Sequence, residues 1–139
     1  GRGLGDWVKQ KDWLERTYPL DTRWYASVNF SQFRPLSWLN PFSWDWVGNL
    51  THFALRKERE LAGTLTWQRG MQNADYLWLA IPSDRDEDTS LSCLLGNFLN
   101  NDWEGRLTRL EYPDGRSEKT IERLGLHLNR KLDWMKLKR

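Results

Sequence analysis

The most regular pattern in the chain lies between Leu61 and Leu99. In "LAGTLTWQ", Leu61, Gly63, Leu65 and Trp67 alternate with polar or small residues. That two-residue period predicts a half-buried antiparallel strand. "YLWLAI", Tyr76 to Ile81, has no polar face at all, which predicts a strand covered on both sides and therefore central. After Pro82 the period changes. Leu91, Leu94, Leu95, Phe98 and Leu99 recur at i, i+3, i+4, i+7 and i+8, the buried stripe of a helix.

The flanking segments are less regular. A helix is expected from about Asp6 to Tyr18, with an Asp-x-x-Glu capping box at Asp12 and Glu15 and Pro19 at its far end. "RWYASVNF", Arg23 to Phe30, is aromatic and β-branched enough for a strand. Residues 31–46 form a Trp- and Pro-rich insertion containing Pro35, Pro41, Phe33, Trp38, Phe42, Trp44 and Trp46. It is too broken for a helix and too apolar for a free loop, which predicts packing against the first helix or the sheet.

A strand over about Trp46–Arg56 and the charged turn "KERE" follow, leading into "LAGTLTWQ". Beyond the long helix come a strand at "RLTRLEY", a turn at "PDG" and a short helix "SEKTIERL" ended by Gly125. A last strand places Leu126, Leu128, Leu132 and Trp134 on one face. The order predicts a single α+β domain over residues 1–139, with antiparallel hairpins first and a strand-helix-strand unit later. Its mixed, mostly antiparallel sheet should have five to seven strands, about six, flanked by helices.

Composition narrows the function. The 139 residues suffice for one core, and 29% charged with 39% hydrophobic residues describes a globular chain. Ten tryptophans stand out; they suit a core, an interface or a membrane surface. A net charge of +2 gives no case for nucleic acid. The charge is uneven: ten basic and seven acidic groups in residues 1–73, one and six in 74–102, ten and six in 103–139. The acidic block contains the junction between "YLWLAI" and its helix, where an anion would meet repulsion.

One cysteine, Cys93, excludes an internal disulfide, and no secretory signal is visible, so a cytoplasmic location is expected. His52, His127 and Cys93 are too few for a His/Cys zinc site, and no metal is expected. No apolar run is long enough to span a bilayer. The start at Gly1 without Met, with residues 1–5 linker-like, suggests that a domain precedes it.

This order, with "ELAGTLTWQ", "DYLWLAIP", the following helix and "TIERLGLHLNRKLDWMKL", resembles the GNAT N-acetyltransferase superfamily over roughly Leu50 to Leu137. The resemblance implies an acyl-CoA-dependent N-acyltransferase with acetyl-CoA or another acyl-CoA in an opening between the fourth and fifth strands. The pantetheine arm would lie along backbone groups of Leu79, Ala80 and Ile81. The diphosphate would sit on the next helix N-terminus through a loop of pattern Arg/Gln-x-x-Gly-x-Gly/Ala. Arg85 matches the Arg of that loop, but Asp88 and Ser90 stand at its glycine positions. Glycines let backbone N–H groups approach an anion closely.

Like charges about 4–5 Å apart cost roughly 3–4 kcal/mol at an effective dielectric near 20. A helix terminus offers an anion about 0.3–1 kcal/mol, up to about 2. The plain structural alternative is a strongly capped helix with Ser83 as N-cap and Asp86 at N3. The acid that the family places on its following helix falls on Ile121, which carries no proton; Tyr112 is the nearest substitute, or a tyrosine packed beside Pro113.

Glu58, Glu60, Glu104 and Glu111 are unranked candidates for a base. His52 reads as a packing residue and Cys93 as an inert thiol. Three functions follow. One is a GNAT-type acyl-CoA-dependent N-acyltransferase domain, active despite a degenerate loop or together with a missing domain, or else with weak or lost acetyl-CoA binding, resembling the second half of a tandem protein. Another is a non-catalytic module meeting an upstream domain or protein partner through its Trp-rich surface. The third is a membrane-interface protein, disfavoured because Arg34 is the one basic residue of that stretch.

Overall fold

The computed structural model describes residues 2–18, 30–35, 50–70, 74–113 and 115–127. They build an α+β unit: α1 (Trp7–Thr17), β1 (Leu50–Lys57), β2 (Glu60–Gln68), β3 (Ala74–Ala80), α2 (Glu87–Asn101), β4 (Leu107–Leu110) and α3 (Glu118–Arg123). Single 3-10 turns at Leu4–Asp6 and Phe30–Phe33 complete it.

The sheet order is β1-β2-β3-β4, antiparallel at the first two interfaces and parallel between β3 and β4. Four strands therefore stand among the described residues, where the sequence predicts about six. Most of the expected Arg23–Phe30 strand, residues 36–46 of the Trp- and Pro-rich insertion, and all but the first two residues of the closing strand lie outside the described residues. Phe30 itself opens a 3-10 turn.

Two cores sandwich the sheet. Leu65 and Trp67 of β2, Leu77 and Leu79 of β3, and Ile81 just beyond it meet Leu91, Leu94, Leu95 and Phe98 of α2. The predicted stripe is thus the buried face of its helix. On the other side, Trp78 and Ala80 meet Leu14 of α1 and Tyr18 just past its end, with Phe30 and Phe33. β3 is interior and covered twice, as its unbroken apolarity predicts.

β2 departs from expectation. Its alternation predicts one wet face, yet Thr64 and Thr66 are as buried as Leu65. The reason is a polar seam under α1. Gln10 donates to Thr66 Oγ1 (3.1 Å), and Thr66 meets His52 Nδ1 (2.8 Å). Thr66 is polar but paired there, while the Thr64 hydroxyl is buried with no hydrogen-bond partner among the described residues, so alternation in type does not mean alternation in exposure.

Gly63 has a reason of its own on the α2 side. A Cβ there would lie 3.1 Å from Leu94 and 3.2 Å from Ile81, beside the register shift between Leu55 and Arg56. The following turn is less favourable: Glu58 and Arg59 close the β1–β2 hairpin with φ of 52° and 72°, the region that asparagine and glycine occupy most easily.

Helix ends also differ from the pattern reading. Asp12 is interior to α1 and pairs with Arg16 (3.2 Å) instead of opening a capping box; Asp-x-x-Glu spacing also fits mid-helix, where acids and bases pair at i, i+4. The helix end is instead fixed at residues 2–6. Arg2 donates to Gln10 Oε1 and to the Phe33 carbonyl. Gly3 N–H donates to Asp6 Oδ2 (2.7 Å), and Asp6 also pairs with Arg56. α2 starts at Glu87, four residues after Ser83, because Pro82 to Asp86 form tight turns first. Gly125, at φ 95°, ends α3 as expected.

Candidate functional site

The junction from β3 to α2 can be built residue by residue. Asp84 N–H donates to the Pro82 carbonyl, and Asp84 Oδ1 accepts the Asp86 N–H at 2.8 Å. This aspartate turn delays the helix. Asp86 pairs across the surface with Lys57 (3.3 Å). Arg85 is exposed and makes no hydrogen bond or ion pair with the described residues.

The first turn of α2 then points two carboxylates at the segment that follows β4. Glu87 is nearly buried and accepts from the Tyr112 hydroxyl at 2.7 Å and from Arg116 Nε at 3.0 Å. The Arg116 guanidinium also lies 5.2 Å from the Tyr112 ring centre. Asp88 accepts from Thr120 Oγ1 at 3.0 Å. Hydrogen bonds from Ser117 and Thr120, together with Arg123, hold its carboxyl below the usual carboxylate range.

Tyr112 is thus in contact with the junction, as a donor to Glu87. Burial and that hydrogen bond push its hydroxyl well above the usual phenol range. It is a neutral donor whose proton is directed at Glu87, with its ring packed against the α2-side core.

Leu79, Ala80 and Ile81 are buried at 0%, 0% and 2% exposure. Their side chains belong to the two cores, so any ligand there would meet backbone only. At that point the Leu79 N–H donates to the Tyr18 hydroxyl (3.3 Å), which in turn donates to the Glu111 carbonyl (2.6 Å). Leu79 and Glu111 are thereby joined through Tyr18, the residue that follows α1. Arg85 is not brought to them.

The other candidates scatter. Glu58 and Glu60 lie exposed at the hairpin, and Glu104 is exposed 3.8 Å from Arg69. His52 is held to about pKa 3 by burial and by the Arg2 charge, which makes it a neutral packing residue at ordinary pH. Cys93 is exposed. It lies between two shallow open grooves of about 410 and 400 Å³, one reaching Asp88, Thr120 and Arg123, the other Phe53 and Asn97. Neither groove reaches Leu79 or Tyr112.

Two buried features escape a pattern reading. Tyr18 is one. The other is Asp75, whose carboxylate accepts from Trp67 Nε1 (3.1 Å) and Gly70 N–H (3.2 Å) and lies 3.2 Å from Arg106 Nε. The sequence does carry a signal for Asp75: it shares the period-two face of Leu77 and Leu79, and a charge on a buried face requires partners.

Among the described residues no group of three His, Cys, Asp or Glu side chains could hold a metal, and no helix is long and apolar enough to cross a membrane. Comparison with known proteins gives no matching family model, no matching curated protein and no matching solved structure.

Proposed function

We propose that this is a GNAT-like acyltransferase domain in which acyl-CoA binding is weak or lost. One observation carries the reading. The carboxylates of the first α2 turn are engaged by the chain itself, Glu87 with Tyr112 and Arg116, Asp88 with Thr120. A helix N-terminus receives an anion through free N–H groups and positive potential. Here the anion is internal, and it fastens α2 to the segment between β4 and α3. A diphosphate would have to displace those contacts and also face Asp84 and Asp86.

Calorimetric titration with acetyl-CoA tests the proposal. The wild-type chain should show no binding at sub-millimolar concentration, and micromolar binding would overturn the loss of cofactor. Changing Asp86→Asn, Asp88→Gly and Ser90→Gly together removes two charges and opens the backbone. A gain of about 1.4–3 kcal/mol, ten- to hundredfold in affinity, is expected wherever a thermal melt shows the variant folded. A folded triple variant with no gain would count against the GNAT-like alignment itself.

A further inference from the structure

The groove of about 410 Å³ between α2 and α3 is lined by Asp88, Ser92 and Cys93 on one side and by Thr120, Arg123 and Leu124 on the other. Its two charges are set around one hydroxyl. Thr120 is 5% exposed, and its Oγ1 donates to Asp88 Oδ1 at 3.0 Å and accepts from Arg123 Nη2 at 3.2 Å. Carboxylate and guanidinium therefore meet through a fixed oxygen, with no direct ion pair between them.

A direct ion pair would clasp the two helices equally well and would leave neither charge open. Here both stay open, since Asp88 and Arg123 are exposed. A carboxylate has about four lone-pair sites and a guanidinium five N–H groups, so each keeps capacity beyond its bond to Thr120. The backbone beside them is also unusual. Ser117, which bonds to Asp88 as well, sits at φ 52°, ψ 24°, a left-handed conformation uncommon in residues other than glycine. Held conformations of this kind cluster at ligand sites.

Opposite charges fixed side by side suit a ligand that carries both charges side by side. An α-amino acid does, with ammonium and carboxylate on one carbon. We infer that the groove between α2 and α3 binds a free α-amino acid, its ammonium on Asp88 and its carboxylate on Arg123. The Ser92 hydroxyl and the Cys93 thiol face the remaining space, which fits a neutral polar side chain. This site is separate from the opening beside β3, because the groove does not reach Leu79 or Tyr112. Its chemistry is also opposite to that of a diphosphate site, since Asp88 attracts the cationic end of the ligand.

The chain supplies its own reporter. Cys93 is its single cysteine, exposed and in the wall of the groove, so a bound ligand should shield it from alkylation by iodoacetamide. L-Glutamine is the probe, and mass spectrometry follows the rate. L-Glutamine should slow alkylation of the wild-type chain in a saturable way. L-Glutaminamide, which lacks the carboxylate, and N-acetyl-L-glutamine, which lacks the ammonium, should each need at least tenfold higher concentration, a loss of about 1.4 kcal/mol. Asp88→Asn and Arg123→Gln should each weaken protection by L-glutamine to the same degree, with a thermal melt to show that the variant is folded. The blocked analogues need no substitution, so the test stands even where a variant does not fold. No slowing by L-glutamine at about 10 mM, a concentration that would reveal a millimolar site, would overturn the inference. Equal protection by the blocked analogues, or unchanged protection in both folded variants, would make Asp88, Thr120 and Arg123 a clasp between helices and overturn it too.

Discussion

Asp75 should be among the most costly single positions in this chain. Its residue is 1% exposed, and Asp75→Ala would strand the Trp67 indole N–H and the Gly70 N–H at 3.1 and 3.2 Å. A buried donor left without a partner costs about 1–3 kcal/mol, and removing one member of a buried ion pair costs about 3–5. Arg106 moderates the sum. Its side chain is 36% exposed, so the guanidinium can turn toward water. Its Nε lies within ion-pair distance of Asp75 but off the direction of a hydrogen bond, while another guanidinium nitrogen donates to the Gly70 carbonyl at 2.9 Å. The attraction is therefore coulombic and not fully directional.

These terms place Asp75→Ala at about 3–4 kcal/mol, near the low end of the buried-pair range. That is a large share of the roughly 5–15 kcal/mol by which domains are stable. Asp75→Asn, which keeps one acceptor, should lose about half as much. Urea unfolding with linear extrapolation reads both, and Trp67→Phe in either background separates the indole contribution as a double-mutant cycle. A loss below about 1 kcal/mol for Asp75→Ala at unchanged m would refute the assignment of Asp75 as the node joining β2, β3 and β4.

Three further outcomes are expected. Leu95→Ala should cost about 2–5 kcal/mol in the same assay, since Leu95 is fully buried on the α2 stripe; a loss under about 1 kcal/mol would mean that another face of the helix is packed. Replacing Glu58 and Arg59 by Asn and Gly should stabilise the hairpin by about 1 kcal/mol, seen as a rise of a few degrees in melting temperature, and a fall would show that the two side chains hold the turn. His52, whose folded pKa is lowered to about 3, binds its proton in the unfolded chain first. Its contribution is therefore complete above about pH 6.5 and is lost as pH falls from there toward 3, at no more than about 1.4 kcal/mol per pH unit. Urea melts at pH 7 and pH 5 should show a smaller drop for His52→Gln than for wild type, and equal drops would place the titration elsewhere.

What the sequence makes legible here is what depends on neighbours in the chain. The α2 stripe, the central β3 and the glycine stop after α3 follow from spacing alone, because helix and strand periods are local. Asp12 shows the limit of such signals: one spacing serves both a helix cap and an i, i+4 ion pair, and only the true start of α1 distinguishes them. Tyr18 lies further out of reach. Its hydroxyl bonds to backbone 61 and 93 positions away, and no local pattern records that two strands will part there. The burial of Thr64 and Thr66 fails for a related reason, since it is set by α1 crossing the sheet.

The acids before and within α2 show the same limit in electrostatic form. Counted along the chain, residues 74–102 form a block with six acids and one base, flanked by basic segments. Taken alone, that block is a barrier to any anion. In the fold, the flanking segments supply its counter-charges. Arg106 comes to Asp75, Arg116 to Glu87 and Lys57 to Asp86, and Arg123 acts on Asp88. Four of the six acids thus face a base from outside the block. Exposed pairs of this kind add little stability individually, but Glu87 and Asp75 are buried, and there the match decides which segments can pack together. The uneven charge is therefore first an internal complementarity that draws β4 and α3 onto β3 and α2. Its hostility to a phosphate follows from that, because a buried carboxylate already committed to a half-buried tyrosine and arginine is costly to move.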